Sequence, residues 1–190
     1  DGSSADYRSA VVGEVTAEEF WNVRLPQINT RVADVSYILD HIKEIQDDND
    51  DFWNMIDLER VGIMGHSFGG GTAIVASSRD IRLDACIALD GWLVPIEQSI
   101  IKKGLNVPFL FMGQTYWTNP VNYEKLDTLI AASTASAEKL ILDGTKHFDY
   151  SDTPQFNTAS SKFGISGSMD LDELRILLNS RIVSFFELNL

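Results

Sequence analysis

Twelve consecutive residues carry the densest chemical signal in the sequence: Arg60-Val61-Gly62-Ile63-Met64-Gly65-His66-Ser67-Phe68-Gly69-Gly70-Gly71. Ser67 stands between Gly65 and Gly69 in a G-x-S-x-G pattern. That spacing suits a sharp strand-to-helix turn, which leaves the serine hydroxyl exposed while neighbouring backbone passes close to the glycines. So placed, the hydroxyl is a candidate nucleophile. A Gly-rich turn with an incidental serine would read the same in isolation, so the flanks matter. Val61, Ile63 and Met64 form a short apolar run suited to a strand covered on both faces. Thr72-Ala73-Ile74-Val75-Ala76 then continues as a helix with small residues where it approaches a sheet.

A serine hydroxyl is a weak nucleophile at neutral pH and needs a base, usually an imidazole, with a carboxylate to orient that base. The sequence holds three histidines, His41, His66 and His147. Serine turns of this kind are followed in chain order by the acid and then the histidine, which selects His147. His66 projects beside the serine and is expected to pack against or hydrogen-bond to a neighbouring loop. His41 falls in a helical pattern with Val32, Val35, Ile38, Leu39 and Ile42, where a solvated or packing role fits.

Five acids, Asp84, Asp90, Glu124, Asp127 and Asp143, lie between Ser67 and His147 among the candidates for the third group. Ala85-Cys86-Ile87-Ala88-Leu89 is an unbroken apolar run of the parallel-sheet type, and Asp90-Gly91 ends it on the rim that carries Ser67. Asp84 lies at the opposite end of that strand. The next strand, Pro108-Phe109-Leu110-Phe111-Met112, is followed by Gly113-Gln114-Thr115-Tyr116-Trp117, with no carboxylate. Elimination favours Asp90. Glu124 and Asp127 sit in a helix pattern, and Asp143 is second choice because it also ends a strand.

The elements that must position these groups alternate along the chain. Strand patterns fall near 60–65, 85–89, 107–112 and 137–142, and helix patterns near 29–46, 68–78, 121–133 and 170–188. This alternation predicts a parallel sheet covered by helices, with sites at the carboxyl ends of the strands. Lys139-Leu140-Ile141-Leu142 followed by Asp143-Gly144-Thr145-Lys146 puts His147 on that rim. In the last helix Leu171, Leu174, Leu178, Ile182 and Phe185 make one apolar stripe, expected to face the sheet. Trp92, Leu93, Tyr116 and Trp117 follow strand ends, and they suit either an acyl pocket or ordinary closure of the core.

Gly65-His66-Ser67-Phe68-Gly69-Gly70, Ala88-Leu89-Asp90-Gly91-Trp92 and the Lys146-His147-Phe148 loop together resemble the platelet-activating factor acetylhydrolase family, the group VII phospholipases A2. The acid follows the nucleophile by 23 residues, as in that family. The resemblance extends from Asp1-Gly2-Ser3-Ser4-Ala5 to about Asp152. It implies an α/β-hydrolase fold and calcium-independent hydrolysis of a short or oxidised acyl group at the sn-2 position of a phospholipid. Ser67, Asp90 and His147 would form the triad, with no metal or organic cofactor. Short-chain carboxylesterases share the signature, and polyester hydrolases usually carry their acid one strand later. A ligand-sensing protein that keeps the fold without catalysis is a further reading.

The resemblance also implies an oxyanion hole with one amide from Phe68 and another from a much earlier loop. Upstream of Arg60 the sequence offers a polar start, the segment Glu18-Glu19-Phe20-Trp21, one long helix pattern and the acidic run Asp47-Asp48-Asn49-Asp50-Asp51, without hydrophobic strands. The expectation is that residues 1–190 are the carboxyl-terminal part of a single hydrolase domain. The remaining amino-terminal part would then be required for activity.

Composition narrows the partners. A formal charge of −13, from 28 acidic and 15 basic residues, opposes binding to nucleic acid phosphates. The expected partner is a small-molecule or lipid ester, with transient contact to a lipid surface as a minor alternative. The Asp47–Asp51 run lacks the glycine and terminal glutamate of an EF-hand loop and reads as exposed loop rather than a metal site. The one cysteine, Cys86, allows no disulfide within these residues and leaves the compartment, secreted or cytoplasmic, open.

Overall fold

The computed structural model describes residues 16–47, 52–156 and 160–190. Four parallel strands, β1 (Gly62–His66), β2 (Ala85–Leu89), β3 (Phe109–Gln114) and β4 (Ala137–Leu142), form a sheet in the order β1-β2-β3-β4. Helices α1 (Ala17–Asp47), α2 (Phe68–Arg79), α3 (Gln98–Lys103), α4 (Val121–Ala132), α5 (Thr153–Phe156) and α6 (Leu171–Asn189) connect or cover it. This is the parallel α/β architecture expected of an α/β-hydrolase. Most of the acidic run, from Asp48 to Asp51, and the Asp1–Ala5 start lie outside the described residues.

Side chains alternate across a strand, so the two central strands feed two cores. Cys86, Ala88, Phe109 and Phe111 face one side and meet α1, α2, α3 and α4 through Ile28, Val32, Ile74, Ile101, Leu126 and Leu129. Ile87, Leu89, Leu110 and Met112 face the other, where Leu174, Leu178, Ile182 and Phe185 of α6 cover them. The apolar stripe of the last helix is therefore core, apart from Leu171, which is 39% exposed. Cys86 is fully buried, and burial pushes its thiol up to about 12, so it acts as a small core residue.

The element boundaries differ from the sequence expectation in three places, each with a local cause. Helix α1 begins at Ala17 rather than near 29 and runs through Pro26. A proline inside a helix removes one backbone bond and normally marks a boundary, but a capping box starts this helix earlier. Thr16 Oγ1 accepts the Glu19 amide at 3.2 Å, and Glu19 Oε2 accepts the Thr16 amide at 2.8 Å. Strand β1 begins at Gly62 because the Val61 amide is taken by the Asp84 carboxylate at 2.9 Å. Strand β3 begins after Pro108, which has no amide to give a ladder, and extends to Gln114.

Candidate active site

At the carboxyl end of β1 the backbone turns through Ser67 with φ 58° and ψ −120°. A non-glycine residue at positive φ is strained, and the surrounding contacts hold it there. The Ser67 amide donates to the Leu89 carbonyl at 3.0 Å, and the Ser67 carbonyl accepts the Trp92 amide at 2.8 Å. A Cβ built on Gly65 would lie 2.3 Å from the Gly69 carbonyl oxygen, so the turn closes only with glycine at 65. Gly69 is different, because a Cβ there would meet nothing within 4 Å. The next two glycines are tight: a Cβ on Gly70 would lie 2.8 Å from Gly91 Cα, and one on Gly71 would lie 2.5 Å from the Trp92 carbonyl oxygen.

Three of the predicted groups meet above this turn. His147 Nε2 is 2.8 Å from Ser67 Oγ, and His147 Nδ1 is 2.6 Å from Asp90 Oδ2. The Asp90 side chain is fully buried and that of His147 is 26% exposed. Asp90 also takes a positive φ of 42°, directly after β2, with its amide on the Met112 carbonyl at 2.6 Å. A hydroxyl, an imidazole and a buried carboxylate in this series can pass the hydroxyl proton to the ring while the carboxylate stabilises the cation formed.

The surroundings of Asp90 hold what sequence reasoning missed. Gln114 donates its amide to Oδ1 at 3.2 Å and its side chain to Oδ2 at 2.8 Å. Trp117 Nε1 donates to Oδ1 at 2.9 Å, and its ring packs edge-on against His147 with centroids 5.1 Å apart. Burying a carboxylate costs far less when several donors satisfy it. Tyr123 in turn donates its hydroxyl to the Gln114 carbonyl; burial, and then the Asp90 charge, push that phenol's pKa up and keep it a donor. The available signal was Gln114 itself, standing at a strand end where an acid was sought and absent.

The His147 loop is pinned by Asp149, also missed. Its buried Oδ2 accepts the amides of Lys146 and Gly167, each at 2.8 Å. His66 packs beside the loop as expected, with Nε2 2.8 Å from the His147 carbonyl oxygen and the two rings 4.6 Å apart. Burial lowers the His66 pKa, and the neighbouring His147 lowers it further, so the ring stays neutral and donates to that carbonyl. His41 is on the α1 surface, stacked on Tyr37 and 3.5 Å from Glu44. Asp143 accepts the Thr115 hydroxyl at 2.9 Å, and Asp84 lies at the far end of β2.

Phe68 is the first residue of α2, where a backbone amide has no partner within the helix and the helix dipole is positive. Its ring lies 5.9 Å from that of Trp92, which in turn meets Phe20 at 5.9 Å. The other three residues expected to line a pocket divide. Tyr116 is 72% exposed, Trp117 serves Asp90, and Leu93 is corrected to a core residue. Leu93 is fully buried because Asn122 draws its segment inward, accepting the Leu93 amide at 2.7 Å and donating to the Gly91 carbonyl at 3.0 Å. Among the described residues no helix is long and apolar enough to cross a membrane, and no group of three or more potential metal ligands occurs.

Comparison with known proteins shows what the chain as a whole is similar to. A platelet-activating factor acetylhydrolase from Gallus gallus is 29% identical over 152 residues, covering 75% of this chain and 35% of that protein. The cutinase est2 of Thermobifida alba is 30% identical over 129 residues, 67% of this chain and 41% of its own length. The chain thus spans well under half of these relatives. A solved ferulic acid esterase from Streptomyces cinnamoneus superposes with a TM-score of 0.69 at 22% identity, over 87% of this chain and 49% of that one, which supports the α/β-hydrolase fold. The family model described as platelet-activating factor acetylhydrolase, isoform II, matches residues 5–190, and by that extent the chain belongs to this family.

Proposed function

We propose that the chain carries the catalytic residues of a serine ester hydrolase. The observation behind this reading is the continuous hydrogen-bonded series from Ser67 Oγ through both ring nitrogens of His147 to the buried Asp90 carboxylate. Ser67 Oγ attacks the ester carbonyl while His147 Nε2 takes its proton, and Asp90 holds the Nδ1–H tautomer and stabilises the imidazolium. The Phe68 amide and the start of α2 face the oxyanion, where one donor is worth about 3–4 kcal/mol. His147 returns the proton to the leaving alcohol. Water activated by the same ring then frees the acid and restores Ser67. The second oxyanion donor is assigned to no described residue.

The substrate class we favour is a short or oxidised acyl ester at the sn-2 position of a phospholipid, on the family's similarity. Cutinase relatives support a second reading, hydrolysis of simple or polymeric esters. Gln114 argues against its polyester form, since an amide that donates to Asp90 ends the strand where polyester hydrolases usually carry their acid. A fluorophosphonate probe tests the enzyme reading in the intact protein. Labelling of Ser67, lost in Ser67→Ala, is expected, whereas an unlabelled and folded protein would point to a ligand-sensing role. Turnover of an sn-2 acetyl phospholipid against a soluble short-chain ester separates the two substrate classes.

A further inference from the structure

Helix α1 places a stripe of positions against α2 at 28, 32 and 35, where Ile28 and Val32 are buried and Val35 is partly so. The helical repeat continues this face to 24 and 31, two turns apart and about 10 Å along the axis. Both positions hold arginine. The Arg24 guanidinium carbon lies 5.2 Å from the centre of the Trp92 ring, and that of Arg31 lies 4.7 Å from the centre of the Phe68 ring. These rings belong to the residue after Ser67 and to the residue whose amide caps the Ser67 carbonyl. Two cations therefore stand over the Trp92 and Phe68 rings, whose backbone flanks or bonds to Ser67.

Their pairing is unusual for this chain. Among the described residues Arg60, Arg79, Arg82, Arg175 and Arg181 each hold a carboxylate, whereas Arg24 and Arg31 have none within ion-pair distance. That occurs in a sequence with 28 acids against 15 bases. Arg24 gives one terminal nitrogen to Gln27 at 2.8 Å, but its buried Nε has no acceptor. Arginine stems often cover aromatic faces, and a cation–π contact explains each position of the ring. It does not satisfy the buried Arg24 Nε, and guanidinium donors lie in the plane of that group and match carboxylate and phosphate oxygens.

We propose that Arg24 and Arg31 are specificity-determining residues that recognise an anionic group of the ester substrate. The group is the phosphodiester of a glycerophospholipid or a carboxylate carried on the acyl chain. This rests on the hydrolase reading above and adds to it the residues that read charge. The positive end of α2 beside Ser67 favours the same sign of ligand.

The test uses the intact protein and two matched substrate pairs. One pair is a short-chain phosphatidylcholine and the diacylglycerol with the same acyl groups; the other is p-nitrophenyl glutarate, with its free carboxylate, and p-nitrophenyl butyrate. The wild type is expected to favour the charged member of one pair, and the pair identifies the source of the anion. In Arg24→Gln/Arg31→Gln the ratio of kcat/KM values, charged over neutral, falls by tenfold or more, as expected for lost charge-assisted hydrogen bonds. Turnover of the neutral ester changes less than about twofold, and Arg24→Lys/Arg31→Lys recovers part of the ratio. A purely structural role would lower both members of a pair together and leave the ratio fixed, which overturns the proposal while neutral-ester turnover keeps the hydrolase reading. Turnover of none of the four esters by the wild type overturns both.

Discussion

Trp117 Nε1 donates to Asp90 Oδ1 at 2.9 Å, on the carboxylate oxygen opposite the one that holds His147 Nδ1 at 2.6 Å. The indole thus fixes the carboxylate plane from one side while the imidazole uses the other. Trp117→Phe keeps a ring against His147 and removes the donor. We expect kcat to fall about tenfold with KM little changed, since a bond to a buried charge is worth roughly 1.5–3 kcal/mol and the two Gln114 bonds remain. Steady-state kinetics on a soluble ester checks this.

Asp90→Asn is a harsher change with nearly the same shape. An amide at this position can present its NH₂ to His147 Nδ1, which favours the tautomer with the proton on Nε2 and blocks acceptance of the Ser67 proton. The expected loss in kcat is on the order of 10⁴-fold. Fluorophosphonate labelling of Ser67 should slow in parallel, and a melting curve close to wild type would separate this effect from unfolding.

Much of this was legible from local sequence, because local rules govern it. The turn at Ser67, the exit of Asp90 from an apolar strand and the loop position of His147 each follow from a strand's end and what comes next. The donors around Asp90 were not legible. Gln114 and Trp117 reach it only because β3 lies beside β2 in one particular register, and pairing across a sheet leaves no mark within either segment. Leu93 was ambiguous for a related reason: an apolar residue after a strand faces rim or core according to Asn122, which is 29 residues away in sequence. The start of α1 was legible in principle, since Thr16-Ala17-Glu18-Glu19 is a capping box, but Pro26 reads more loudly than a cap.

His66 gives stability a pH dependence. Burial and the adjacent His147 hold its pKa below the ordinary 6.5, so the folded state resists a proton that the unfolded chain accepts. The contribution is present above about pH 6.5 and is lost as pH falls toward the lowered folded value. Thermal melts between pH 7.5 and 5 should show a decline that is shallower in His66→Gln, where position 66 no longer titrates. An identical slope in the two proteins would remove His66 as its source.

Gly69 and Gly70, two of the three glycines after the serine, should respond in opposite ways to the same substitution. Gly69 belongs to the G-x-S-x-G pattern, yet an added Cβ there meets open space. Alanine also suits a helix better than glycine by about 0.5–1 kcal/mol, so Gly69→Ala is expected to leave stability unchanged or slightly raised. Gly70 lies outside the pattern, but its Cβ would press on Gly91 Cα at 2.8 Å and the Gly65 carbonyl oxygen at 2.9 Å, both backbone atoms that cannot swing away. Relief would require α2 to part from the ends of β1 and β2, the two strands that deliver Ser67 and Asp90. Gly70→Ala should therefore cost about 1–3 kcal/mol, the usual range for overpacking, and lower activity along with stability. Urea unfolding of the pair measures both effects; a stable Gly70→Ala beside a destabilised Gly69→Ala would show that the motif rather than the packing sets the constraint.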